Sequence, residues 1–180
     1  DVDGLTDPGL AGVLWNMTAL VHLRRGELTE ARELLERAVR LHESRDEDGR
    51  LLAALTNLAM VLRNAGFYGA ARAVLDRGLA VADQICNTLS EAFLLLNRAQ
   101  LRIEADPEDL STAEQDALRG RLLAEELASR YLEISASCTL AHIRRLRGEV
   151  PEARTMIDAA VQMARKLGAE LPLAEALLAA

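Results

Sequence analysis

Side-chain amides recur in this chain at a regular interval. Asn57 and Asn97 stand 40 residues apart, and Asn16 falls one place off the same register. An amide donates and accepts hydrogen bonds at once, so a row of them suits the backbone of an extended peptide; asparagine is equally tolerated on a solvated helix face. Arginines recur as well, at Arg24, Arg63, Arg102 and the pair Arg144 and Arg145. A guanidinium there could hold a carboxylate or phosphate, or serve the carbonyls at the end of a helix, an interaction of about 0.3–1 kcal/mol. Met17 and Met60 offer adaptable apolar surface for a partner helix, or ordinary packing.

Other reactive side chains are scattered. His22, His42 and His142 belong to different segments, none with a second His or Cys at i+3 or i+4, which argues against a metal site. Cys86 and Cys138 lack ligand or CxxC spacing and read as reduced, buried core thiols in a cytoplasmic protein. Phosphate loops, nucleophile elbows, metal-binding helix motifs and dinucleotide fingerprints do not occur in the sequence. No catalytic residue, metal or cofactor is therefore expected. A net charge of -7 argues against general attraction to nucleic acid or an anionic membrane surface, and no apolar run approaches the ~18–20 residues of a membrane span. All but one of the 21 basic residues are Arg, the exception being Lys166, a bias that reads as a GC-rich genome. The chain opens Asp1-Val2-Asp3, which suggests a fragment of a larger protein.

Straight helices must position these residues. Half of the 180 residues are apolar, aromatics make up 3%, and there are only four prolines, a composition suited to an all-α fold. Three interruptions share the pattern G-x-x-x-x-A-R, at Gly26 to Arg32, Gly66 to Arg72 and Gly148 to Arg154; a degenerate copy falls at "ADPEDLSTAEQ". Each interruption is followed by an apolar stripe at i, i+3, i+4 and i+7: Ala31, Leu34, Leu35, Ala38; then Ala71, Val74, Leu75, Gly78; then Ala153, Met156, Ile157, Ala160. A second stripe precedes each, clearest in Leu52, Leu55, Leu58, Ala59 and Leu62. Each copy is thus a helix hairpin. Start signals at Pro8, Thr88 to Glu91, Ser111 to Glu114, Pro151 and Pro172 place helices at roughly 8–25, 29–44, 49–65, 68–85, 89–104, 112–128, 131–147, 151–167 and 172–180. The break after residue 128 carries neither Gly nor Pro. Glu30, Glu33 and Glu36 beside Arg32, Arg37 and Arg40 read as a salt-bridged outer face.

On these residues the sequence resembles the tetratricopeptide repeat family. In the first copy Trp15, Ala19, Gly26, Ala31, Leu35 and Ala38 take the family's landmark places; in the second Leu55, Ala59, Gly66, Ala71, Leu75 and Gly78 do so. In the last they are Ser137, Ala141, Gly148, Ala153, Ile157 and Ala160, with Ser137 departing from the expected large apolar residue. A period of 40 to 42 rather than 34 is similar to long-repeat bacterial variants. The resemblance implies a right-handed superhelical solenoid of about four helix-turn-helix repeats, at 8–47, 48–87, 88–129 and 130–169, forming one domain with a partial or capping C-terminal helix over 170–180.

It also implies a groove lined by first helices. The inward places fall on Asn16, Met17, Leu20 and Arg24, on Thr56, Asn57, Met60, Arg63 and Asn64, on Phe93, Asn97 and Gln100, and on Cys138, Thr139, His142 and Arg145. The family's tail-binding clamp uses lysine, and no lysine falls on that face. The implied role is a non-catalytic protein–protein interaction domain binding a peptide or partner domain. The alternative is a ligand- or peptide-sensing regulatory arm of a bacterial multidomain transcription regulator or signalling ATPase. Self-association through the apolar "LPLAEALLAA" at 171–180 is a further expectation.

Overall fold

The computed structural model describes residues 8–168, and these form eight α-helices: α1 (Pro8–Arg25), α2 (Leu28–Glu43), α3 (Asp48–Asn64), α4 (Tyr68–Gln84), α5 (Thr88–Ala105), α6 (Ser111–Glu126), α7 (Arg130–Leu146) and α8 (Val150–Leu167). The fold is all-α; α1 packs on α2, α2 on α3 and α3 on α4, and further along α6 packs on α7 and α7 on α8. The first eight expected helices are present within a few residues of their expected bounds. The ninth, at 172–180, lies outside the described residues. Two compact units divide at residues 90 and 91: the first contains α1 to α4, the second most of α5 together with α6 to α8.

The turns explain the recurring interruption. Gly26, Gly66 and Gly148 have φ of 78°, 78° and 82°, a left-handed conformation that costs a side chain roughly 1–2 kcal/mol. A Cβ at any of the three would meet nothing within 4 Å, so the requirement is on the backbone alone. Gly26 N–H donates to the Leu23 carbonyl and Glu27 N–H to that of His22. These two bonds are the pair that satisfies the orphan carbonyls of a helix end. The same pair recurs with Gly66 and Phe67, and with Gly148 and Glu149.

Turns between hairpins use the same geometry without glycine. Asp46, Cys86 and Ala128 sit at φ of 53°, 53° and 50°, and each makes the same two backbone bonds. The break after residue 128 is therefore a turn of the same class. Cys86, expected in the core, is exposed because it occupies this turn; Cys138 is buried among Ile134, Ala141, Ile157 and Ala160. Side-chain pairs close several turns across five residues: His22 Nδ1 bonds Glu27 at 2.5 Å, His42 Nδ1 bonds Glu47 at 2.7 Å, and Arg144 Nη1 donates to Glu149 at 2.8 Å. Hydrogen bonds from Arg45 and His42 hold the Glu47 carboxyl down at about 2.

Two expected caps are corrected. Asn87, one residue before the expected Thr88, accepts from Ser90 N–H at 3.0 Å; Glu91 faces Arg119. Ser111 donates to Asp109, and Glu114 is drawn away by Arg144 at 3.0 Å and Arg147 at 2.7 Å.

Alanine and glycine let paired helices approach. Ala19, Ala31, Leu35 and Ala38 are fully buried in the first hairpin, and a Cβ on Gly12 would lie 2.6 Å from the buried ring of His42. Arg37 covers the Trp15 ring at 4.4 Å, while Arg32 and Glu36 form the expected surface pair at 2.7 Å. In the second unit the α5–α6 pair departs from the pattern. Asp116, where other second helices carry Leu34, Val74 and Met156, is buried and receives Arg98 through two bonds, at 2.9 Å and 2.8 Å, plus Arg102 at 2.8 Å. Here an ionic triad stands where the other pairs have an apolar contact.

Removing one member of such a triad strands the others. Asp116→Ala should cost roughly 3–5 kcal/mol in urea unfolding, whereas changing Arg98, Arg102 and Asp116 together to Leu should be neutral or stabilising.

Candidate functional site

Equal spacing on α1 and α3 creates one shared face in the first unit. Asn16, Leu20 and Arg24 follow at i, i+4 and i+8, and Thr56, Met60 and Asn64 repeat this 40 residues later. The helices touch, and Asn57 Nδ2 donates to Asn16 Oδ1 at 3.0 Å. The two amides that fall one place out of register in sequence are thus joined in space. One bond uses one of the two donors on Asn57 and part of the acceptor on Asn16, so the pair keeps further donor and acceptor capacity in a fixed orientation. Around it, Arg24 and Asn64 are exposed, and Leu20, Met60 and Arg63 are half-buried. Thr56 donates to the Leu52 carbonyl at 2.8 Å and is turned back on its own helix. Met17 is exposed on an adjoining stripe of α1.

In the second unit, α5 and α7 carry the corresponding residues. Asn97 Nδ2 donates to the Phe93 carbonyl at 2.9 Å, within its own helix, so it pairs differently from Asn57. Phe93 and Tyr131 lie with ring centroids 5.9 Å apart at 38°, a tilted aromatic pair. Tyr131 carried no signal in the repeat register; alignment of helix starts would have suggested it. Two sequence expectations are corrected: Cys138 and Thr139 are buried, Cys138 against α8 and Thr139 bonded to the Ser135 carbonyl. Gln100 and His142 are half-buried and Arg145 is exposed. The recurrent arginines divide: Arg102 and Arg144 are engaged by Asp116, Glu114 and Glu149, whereas Arg24 and Arg145 are exposed.

Burial, and then the Arg145 charge, hold the His142 imidazole below its ordinary value, against an opposing pull from Glu104. The folded chain thus takes up this proton less readily than the unfolded chain, and stability falls as pH drops below about 6.5. His142→Gln should lose less stability than the parent between about pH 7.5 and 5.5, as read from urea midpoints.

Among the described residues, no cluster of three or more His, Cys, Asp or Glu is placed to hold a metal ion, and no helix is long and apolar enough to cross a membrane. Residues 10–84 match the family model described as tetratricopeptide repeat. No curated protein matches the chain.

Proposed function

Residues 10–84 of this chain belong to the tetratricopeptide repeat family, whose repeats generally mediate protein–protein interactions, and from this premise we propose that the chain is a non-catalytic binding domain. The α1–α3 face receives an extended segment of a protein partner. The observation that supports this reading is the Asn16–Asn57 amide pair. It fixes amide groups on a half-buried surface, where their remaining hydrogen-bonding capacity can meet the donors and acceptors of a peptide backbone.

Arg24, Arg63 and Asn64 edge this surface, and Leu20 and Met60 give it an apolar floor. An acidic or C-terminal carboxylate on the segment is the natural complement of the arginine edge. The second unit carries candidate binding residues of its own, Phe93, Asn97, Gln100, Tyr131, His142 and Arg145, with more aromatic character. The α7–α8 pair repeats Gly148, Ala153, Ile157 and Ala160 at the spacing of the matched segment, so we read it as a repeat of the same kind. Self-association through 171–180 falls outside the described residues. The sensory-arm alternative gains no specific support from the described residues.

Selection of peptides from a random library against the whole chain, followed by calorimetry, tests the reading. Asn16→Ala with Asn57→Ala should weaken a selected peptide by about 1–3 kcal/mol with little change in the thermal midpoint. Unchanged affinity would remove the α1–α3 face as the binding surface.

A further inference from the structure

The second unit has a face that joins an aromatic pair to a cation. On α5, Phe93, Asn97 and Glu104 follow at i, i+4 and i+11; on α7, Tyr131, Ser135 and His142 follow at the same spacing, 38 residues later. Interactions at both ends show that the two helices adopt this offset. Phe93 and Tyr131 meet with ring centroids 5.9 Å apart at one end, and the Glu104 charge acts on His142 at the other. The ends are separated by about 16 Å of helix. Asn97 and Ser135, both half-buried, fall between them.

Each level of this face offers a different chemistry. Phe93 is half-buried while Tyr131 is 38% exposed, so the pair presents ring surface against which a further aromatic ring can pack. Asn97 spends one N–H on the Phe93 carbonyl and keeps a second donor and acceptor capacity, and Ser135 adds a hydroxyl. Both suit a peptide backbone. Arg145, one turn beyond His142, is exposed and, unlike Arg144 and Arg147, meets no carboxylate among the described residues. A guanidinium so placed takes a carboxylate. Glu104 repels that carboxylate from the α5 side and directs it to α7, beside His142. Exposure of Glu104 and Arg145 leaves room for a chain to run past this end, which suits an acidic side chain rather than a chain terminus.

We propose that the α5–α7 face is a second binding surface, for an extended segment of a protein partner that carries an aromatic side chain and an acidic side chain about five residues apart. That spacing is the length of extended chain that spans the two ends. Binding is also linked to protons. In the free chain burial and Arg145 hold the His142 imidazole below its ordinary value against the pull of Glu104, and these are the two charges that face it. A carboxylate arriving beside His142 favours the protonated ring, so binding takes up a proton and tightens as pH falls. The inference rests on the reading of the chain as a protein-binding domain and is separate from the α1–α3 face.

Selection of capped random peptides against the full chain carrying Asn16→Ala and Asn57→Ala tests it, because that background disables the first surface. Selected peptides should carry an aromatic and an acidic residue at the stated spacing. By calorimetry their dissociation constant should rise up to about tenfold between about pH 5.5 and 7.5, and His142→Gln should remove that dependence. Arg145→Glu, at an exposed site, should weaken binding roughly tenfold or more with the circular dichroism melt in place. Tyr131→Ala should also weaken it; should that variant unfold, Arg145→Glu decides. Failure to enrich any peptide, enrichment of peptides without an acid, affinity indifferent to Arg145→Glu, or a pH response kept by His142→Gln would overturn the proposal. None of these results bears on the α1–α3 face, whose own test uses the parent chain.

Discussion

At the end of every described helix except α5 the backbone turns left for a single residue, and this is how each of those helices folds back on the next. Residues 26, 46, 66 and 86 do so at intervals of 20, and residues 128, 148 and 168 resume the same interval. At residues 26, 46, 66, 86, 128 and 148 two N–H groups reach back to the carbonyls of the helix just ended, and at 168 the Gly168 N–H does so. Helix length, direction and register follow from that spacing. Because the interval is constant, first helices present the same positions to their surroundings, which is what brings Asn16 beside Asn57.

The left-handed turn is made in two chemical ways. Inside hairpins glycine supplies the conformation without penalty, while between hairpins Asp46, Cys86 and Ala128 adopt it despite their side chains. Surrounding interactions must offset the difference. At residue 46 this is visible, since Glu47 gathers His42, Arg45 and Arg50. The connection between α5 and α6 departs from the rule: Asp106 to Leu110 is bound by Asp106 and Asp109 side chains to local N–H groups. The α5–α6 pair is also where Asp116 and its arginines stand in place of an apolar contact.

Much of this was legible in the residues. Apolar spacing located the helices, and the three glycines located the turns inside hairpins, because only glycine advertises a left-handed residue. Cys86 and Ala128 were silent because nothing in their side chains favours that conformation, while Asp46, of a type that visits it more readily, stands among other charged residues; the distance of 20 residues from the neighbouring glycines marks all three. Cys86 was misplaced in the core on that account. The amide pair was half legible. Asn57 and Asn97 shared a register, but the partner chosen by Asn57 was the off-register Asn16, since adjacent first helices are offset where they touch. The buried triad was hidden because Asp116 and its two arginines look like surface charge until their helices are packed together. Tyr131 was missed because it precedes the repeat landmarks.

The binding surface proposed for α1 and α3 is thus a by-product of backbone geometry at the turns, with side-chain chemistry added on a repeating frame. Urea unfolding of Gly66→Ala beside Ala128→Gly tests that claim most directly, because both sites share a conformation and differ only in the residue holding it. The account predicts opposite signs: Gly66→Ala loses about 1–2 kcal/mol, and Ala128→Gly is stabilised by up to about 1 kcal/mol. Equal losses at the two sites, or no loss at Gly66, would contradict it.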